Sequence, residues 1–264
     1  NHLIAKDILK PHAVYWPTML MAAGLPLYRR LNVHGYWIMD RGKMSKSLGN
    51  VIRTLDMRER YGMDAFRYYL LREMVFGQDA TFSMEAFVNR VNADLANNFG
   101  NLVSRVLAMQ KRYFDSVVQP MGDGERAEDR ELKEAFVAAV ANVDRHMEEM
   151  AFHRALEAIF SALDRTNQYI VKTAPFTLVK ELDQKPRVGE ILHNLLECVR
   201  LAGELLRPFL PETATAVRNL LGLPASEVLQ PEWGVSFPEG HQVRPPEILF
   251  ARIEDTEGNG DLDA

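Results

Sequence analysis

The hydrophobic rhythm of this chain changes once along its 264 residues. In the first part, apolar positions come in short runs broken by Gly and Pro. The opening residues read as the end of a strand entering a helix. Asp7 is placed as an N-cap, and Pro11 falls in the first turn of a helix running to about Ala23, closed by Gly24 and Pro26. Pro17 inside that stretch predicts a kink or break. Val33–Met39 predicts a strand. A short helix over about Thr54–Tyr61 stops at Gly62, and Asp64 is placed to cap a second over Ala65–Met74.

From Met84 the period lengthens. Val88, Val91, Leu95, Phe99, Leu102, Val106, Met109 and Tyr113 recur every three or four residues, as on one face of a long helix. The polar stretch Gly122–Arg130 ends that region. Leu132, Phe136, Val140, Val143, Met147 and Met150 mark a second long helix. Phe152, Leu156, Ile159, Phe160, Leu163 and Ile170 mark a third, and Val188, Ile191, Leu195, Val199, Ala202 and Leu206 a fourth. Pro211 and Gly222 frame a fifth. Short connections predict antiparallel packing. Beyond Leu223 the chain is expected to be irregular. Ile248-Leu249-Phe250 is read as one short strand, and the acidic Glu254–Ala264 as disordered.

The pattern therefore divides the chain into residues 1–39, the tail of a doubly wound α/β domain; 40–84, a connecting module; 85–222, a helix bundle; and 223–264, an irregular tail. The single cysteine, Cys198, excludes an internal disulfide and sits among Leu195, Leu196, Val199 and Leu201 as a buried thiol. No apolar run reaches membrane-spanning length, and the seven histidines lack metal-ligand spacing. The net charge of −5 supplies no global field for nucleic acid, so any RNA contact needs a local patch.

The sharpest chemistry lies in Lys43-Met44-Ser45-Lys46-Ser47-Leu48-Gly49-Asn50. Two lysines, two hydroxyls and flanking Gly42 and Gly49 suit a triphosphate: cations meet developing charge, and glycines let the backbone come close. The Gly-x-x-x-x-Gly-Lys spacing of a P-loop is absent. The run follows a predicted strand, where a phosphate-handling loop of an open α/β sheet belongs. A solvated Lys/Ser turn is the plain alternative.

On the first long helix, Asp94, Asn98, Asn101 and Arg105 are spaced to form one row. Amides and a guanidinium can read base edges bidentately, and single-stranded loops expose such edges. An ordinary solvated helix face is the commoner outcome of such spacing. Thr173-Ala174-Pro175-Phe176 closes the third helix; Phe176 is either a stacking platform for a base or a plug beneath the bundle, and pattern alone favours the plug. His2, Trp16 and Trp37 are candidates for a substrate pocket.

With these residues in place, the chain resembles the bacterial type of methionyl-tRNA synthetase over nearly its whole length. The Lys43–Ser47 run resembles the KMSKS signature of class I aminoacyl-tRNA synthetases. Lys6-Asp7-Ile8 with His12-Ala13-Val14-Tyr15-Trp16-Pro17, then Asn92-Ala93-Asp94-Leu95, Gly100-Asn101-Leu102-Val103-Ser104-Arg105, Ala174-Pro175 and Pro208-Phe209-Leu210-Pro211-Glu212 narrow it to the methionine type. The resemblance implies a mainly α fold: the C-terminal remnant of a Rossmann-like α/β catalytic domain carrying the KMSKS loop, then an antiparallel α-helical anticodon-binding bundle.

It also implies roles. Lys46, with Lys43, would act catalytically on ATP, and Ser45 and Ser47 would join them in binding it. His2 would line the amino-acid pocket. Asn101 and Arg105 would contact the anticodon, displacing the solvated-face reading. Phe176 stands where the family has tryptophan, and Ala5 where it commonly has glycine. ATP with Mg2+ is the implied substrate, with no metal site in this part of the chain. Methionine and tRNA(Met) are the implied partners, in the cytoplasm and away from membranes. The family's His-Ile-Gly-His motif and zinc-bearing insertion do not occur in these residues, so a missing N-terminal half of the catalytic domain is a further implied partner, and the chain alone is expected to be inactive. Open alternatives are a non-catalytic tRNA-binding module, a class I ligase for cysteine or leucine, and a purely structural helical protein.

Overall fold

A computed structural model of the chain describes residues 1–39, 52–122, 126–224, 231–234, 237–238 and 240–254. The Lys43–Ser47 run and most of the acidic end lie outside the described residues.

Strand β1 (His2–Ala5) pairs in parallel with β2 (Leu31–His34), His2 opposite Leu31 and Ala5 opposite His34. Parallel pairing needs a crossover, and helix α1 (Trp16–Ala22) with the turns before it supplies one. Asp7 does not cap this helix; it lies in the 3-10 turn Lys6–Ile8. Pro17 does not break the helical run; it falls in the first turn of α1. The preceding turn, Pro11–Tyr15, widens to i→i+5 bonding, with the Trp16 N–H reaching the Pro11 carbonyl. A widened turn is one way a helix absorbs a local misfit without ending.

The single strand expected over Val33–Met39 is two. After β2 the chain breaks at Gly35–Tyr36 and resumes as β3 (Trp37–Met39), which pairs in parallel with an unforeseen strand β4 (Ala80–Phe82). The break is steric. A Cβ on Gly35 would lie 2.1 Å from the Gln78 carbonyl oxygen, so only glycine lets these backbones touch.

Helices α2 (Thr54–Tyr61) and α3 (Met63–Glu73) meet at Gly62, whose φ of +82° turns the corner. Asp64 does not cap α3. It is buried and accepts hydrogen bonds from the Thr213 amide and hydroxyl, both at 2.7 Å, at the start of another helix. One turn on, Arg67 donates to the carbonyls of Phe209 and Pro208. The face of α3 bearing Asp64 and Arg67 thus satisfies the orphan backbone groups of a remote corner.

The long helical stretch runs from α4 (Met84–Arg90), capped by the Ser83 hydroxyl, through a π-helical segment Val91–Gly100 into α5 (Asn101–Phe114). The remaining helices are α6 (Ala127–Glu148), α7 (Phe152–Thr173), the short α8 (Pro175–Leu178), α9 (Lys185–Leu206) and α10 (Pro211–Leu220). α6 and α7 form a tight antiparallel hairpin. Helix α9 is the axis, buried from Arg187 to Leu206 except at Glu190. Its apolar positions meet Phe99, Leu102, Val106, Phe136, Leu156 and Leu163 in one core. The Cys198 thiol is fully buried there, and burial pushes its pKa up.

Several charged groups in this core are paired. Arg187 bonds Asp129 at 2.5 and 2.7 Å; Tyr169 donates to Asp129 at 2.6 Å and accepts from Asn194. Arg200 pairs with Glu197, and Arg218 with Glu204.

Ile248–Phe250 is not a strand. Leu249 and Phe250 pack against the core, and the neighbouring backbone is held by side chains rather than a sheet edge. Asn92 both donates to the Ile253 carbonyl and accepts its amide at 2.8 Å, and Ser104 donates to Glu247. Among the described residues, no helix is long and apolar enough to cross a membrane.

Candidate functional site

The front of the chain holds a cavity of about 440 Å³ lined by His2, Pro11, His12, Tyr15, Trp16 and Met19. β1 places His2, and the widened turn with α1 places the rest. His2 is half-buried, edge-on to Tyr28 at 4.8 Å and 6.1 Å from His12. The His12 Nδ1 lies 2.8 Å from the Ile8 carbonyl oxygen. A carbonyl only accepts, so Nδ1 carries the proton and the neutral ring keeps Nε2 as an acceptor. The cavity is therefore aromatic and apolar, with two imidazoles and a thioether in its wall. Of the three sequence candidates, His2 and Trp16 belong to it. Trp37 does not: it packs on Tyr69 and Phe82 at 5.8 and 6.3 Å, inside the connecting module. His12 and Tyr15 were named from sequence only within the segment that carries the resemblance, and Met19 not at all; with Trp16 they share i, i+3, i+4 and i+7 spacing on one helix face.

β3 runs directly toward residues 40–51, where Lys43, Ser45, Lys46 and Ser47 lie outside the described residues. Its root is fixed. The Asp79 carboxylate accepts the Tyr36 amide at 2.8 Å and the Lys6 ammonium at 2.7 and 2.5 Å. The Lys6 hydrogen bond, with the Tyr36 amide, holds Asp79 below the usual carboxylate range.

The second candidate region is on the bundle. The predicted row does not stay in one line, because the π-helical segment shifts the register within it. Asp94 turns to α3, accepting the Tyr68 phenol at 2.6 Å and Arg90 at 3.5 Å. Burial, then the Asp94 carboxylate, push the Tyr68 pKa well up. This pair is part of the scaffold. Asn98 and Arg105 both reach α7. Asn98 donates to Asp164 at 2.8 Å and accepts from Asn167 at 2.7 Å, while Arg105 donates to the Asn167 oxygen at 2.6 Å. Partial burial lowers the Arg105 pKa, but guanidinium stays charged at any working pH. Asn101 is exposed. Sequence reading missed Asn167, which orients Arg105 from another helix; nothing in local spacing marks it.

From Asn167 to Thr173, α7 rises about 9 Å. It ends at Ala174 with φ +43°, followed by buried Pro175 and by Phe176, which is 52% exposed. Phe176 is therefore not a buried plug. The Lys185 ammonium lies 5.7 Å over the Phe114 ring, and Lys172 pairs with Glu131 at 3.2 Å, which brings the ends of α5 and α7 and the starts of α6 and α9 to the same end. Lys111, Arg112, Lys172, Lys180 and Lys185 are exposed there among Glu131, Glu181 and Asp183. Cations and carboxylates are thus interleaved around the bundle end that carries the exposed ring.

Two family models together match most of the chain. The family described as tRNA synthetases class I (M) matches residues 1–107, and the anticodon binding domain of methionyl tRNA ligase matches residues 119–261. The chain is 41% identical over 256 residues to the methionine–tRNA ligase of Caldanaerobacter subterraneus subsp. tengcongensis, covering 96% of this chain and 40% of that one. It is 43% identical over 257 residues to that of Halalkalibacterium halodurans, covering 96% and 39%. The Mycobacterium tuberculosis methionyl-tRNA synthetase bound by methionyl-adenylate superposes with a TM-score of 0.89 at 38% identity, over 95% of this chain and 49% of that chain. Its free form gives 0.87 at 35%, over 96% and 49%. The chain thus spans about two fifths of the length of these curated relatives and half of the solved chains.

Proposed function

Because the chain belongs to the methionyl-tRNA synthetase family, we propose that it supplies the KMSKS side of the active site and the anticodon-reading bundle of a methionine–tRNA ligase. We read residues 1–39 as the end of the catalytic domain, 40–84 as the loop and connecting module, 85–222 as the anticodon bundle and 223–264 as the tail. A preceding half of the catalytic domain completes the site. The reaction belongs in the cytoplasm, where charged tRNA is consumed.

The substrates are methionine, ATP as its magnesium complex, and tRNA(Met). A methionine carboxylate oxygen attacks the α-phosphorus in line, and the bond to pyrophosphate breaks. The apolar cavity holding His2 and His12 suits an unbranched thioether side chain, which fills irregular aromatic-lined space well. Lys46 and Lys43 meet the charge that grows on pyrophosphate, the kind of contact that raises rate rather than affinity. Ser45 and Ser47 hold phosphate oxygens. The tRNA 2′- or 3′-hydroxyl then takes the methionyl group from the adenylate.

Anticodon reading falls to Asn101, Arg105 and Phe176. The observation that carries this reading is the exposed Phe176 ring one helix end away from an Arg105 already oriented by Asn167. A half-exposed aromatic at the helix end, with an oriented guanidinium about two turns away, offers separate groups for stacking and for edge reading of splayed bases.

The test is methionine-dependent ATP–pyrophosphate exchange by the complete gene product, run against all twenty amino acids. Exchange with methionine is expected, and Lys46→Ala should slow it on the order of 100-fold or more. Exchange with another amino acid instead, or a Lys46→Ala rate within threefold of the parent, would refute the assignment.

A further inference from the structure

Lys6 and Asp79 are far apart in the chain, on segments that belong to different two-stranded sheets. Lys6 leaves β1 at the turn that leads to the cavity-bearing helix. Asp79 precedes β4 and bonds the root of β3, which ends at Met39, with three residues between it and the Lys43–Ser47 run in the chain.

The contacts between them are reciprocal. The Lys6 ammonium bonds both Asp79 oxygens and sits 4.8 Å over the Tyr36 ring. Asp79 also accepts the Tyr36 amide, the backbone donor at the break between β2 and β3. The Tyr36 carbonyl in turn accepts the Ala80 amide at 2.9 Å. The absence of a Cβ on Gly35 lets the Gln78 backbone seat against it. The root of β3 is therefore located by several contacts; Lys6, through Asp79, and its neighbour Asp7, through the Tyr36 side chain, tie it to the cavity segment.

The pair is a poor device for stability. Its side chains are 44% and 35% exposed, and exposed ion pairs contribute little to folding. Its geometry is nevertheless specific, with two oxygens, one ammonium and one backbone amide in a single knot. What such a knot can fix is distance and orientation. In-line attack requires the carboxylate and the α-phosphorus at near-contact separation, and small misplacement costs large factors in rate.

We propose that Lys6 and Asp79 are positioning residues for amino-acid activation, setting the amino-acid cavity in register with β3, the strand that comes before the Lys43–Ser47 run in the chain. The inference rests on the methionine-activation reading above.

The experiment uses the complete gene product with Lys6→Met, Asp79→Asn, the double variant and Lys6→Arg. Pyrophosphate exchange is measured against methionine and ATP concentration, alongside thermal melting. Both single variants should lower kcat about tenfold or more, with KM for methionine within about twofold and the melting temperature within about 2 °C of the parent. The double variant should be no slower than the worse single, since both remove one interaction. Lys6→Arg should recover at least about a third of the parent kcat. The proposal is overturned if both single variants keep kcat within twofold, if their losses multiply in the double, or if the losses follow a fall in melting temperature. A parent with no methionine-dependent exchange would overturn the underlying reading itself, before any variant is compared.

Discussion

Replacing Phe176 separates base stacking from core packing. The ring is 52% exposed, so roughly half its area is removed from water. Full burial of such a side chain contributes about 1.5–3 kcal/mol, so Phe176→Ala should cost about 1 kcal/mol of stability. For a domain of this size that is about 2–4 °C in melting temperature. If the ring stacks on an anticodon base, the same change should cost about 1–3 kcal/mol of tRNA affinity, or about 5- to 150-fold in Kd. Phe176→Leu refills the apolar contact without a π face, so it should restore most of the stability and little of the affinity. Phe176→Trp should bind at least as well as the parent. The assays are differential scanning fluorimetry and filter binding of tRNA(Met) on the same preparations. Unchanged Kd in the alanine variant, corrected for folded fraction, would refute the stacking role. So would a leucine variant that binds like the parent.

Other outcomes follow from the same contacts. Arg105→Ala should weaken tRNA(Met) binding by about 1–3 kcal/mol and relax anticodon discrimination, leaving methionine-dependent exchange without tRNA untouched; equal loss for every anticodon variant would make it a phosphate contact. Asp64→Ala should lower stability by about 1–2 kcal/mol in urea unfolding, because the first turn of α10 loses its cap, while Asp64→Asn keeps an acceptor and most of that stability. Asp129→Asn should cost about 1–3 kcal/mol at pH 7, because the buried Arg187 loses its nearest charge partner and keeps only the more distant Glu190 at 3.2 Å and Glu128 at 3.4 Å. Burial opposes ionisation of Asp129, but hydrogen bonds from Arg187 and Tyr169 outweigh it and hold its carboxyl below the usual range. That stabilisation is therefore present above the unfolded value of about pH 4 and is lost as pH falls through the lower folded value. The urea midpoint of the parent should drop across that acid window, and the asparagine variant should show a shallower drop.

Much of this protein could be read from residue order. Helix periods placed α6, α7 and α9 because each long helix buries one stripe, and a stripe is a local property of sequence. Gly62 and Pro211 marked boundaries because glycine's positive φ and proline's fixed φ act within one residue. The Lys43–Ser47 run suggested phosphate handling because such chemistry needs particular groups close together in the chain, but it lies outside the described residues.

What sequence did not determine is what one element does for another. Asp64 looked like the cap of its own helix; only packing showed that it caps α10, 149 residues away. The Val33–Met39 run had the composition of one strand, but the Gln78 carbonyl at Gly35 splits it, and β4 exists only because β3 offers it an edge. The row from Asp94 to Arg105 assumed an ideal helical period, which a widened segment of the backbone overrode. Phe176 could have been inside or outside, since an aromatic after proline satisfies either; the placement of α8 at the bundle end left it half exposed. Local rules reach as far as one turn or one strand. Caps supplied in trans, backbone contacts across sheets and the exposure of a single ring depend on which surfaces meet, and that is settled only when the whole chain has packed.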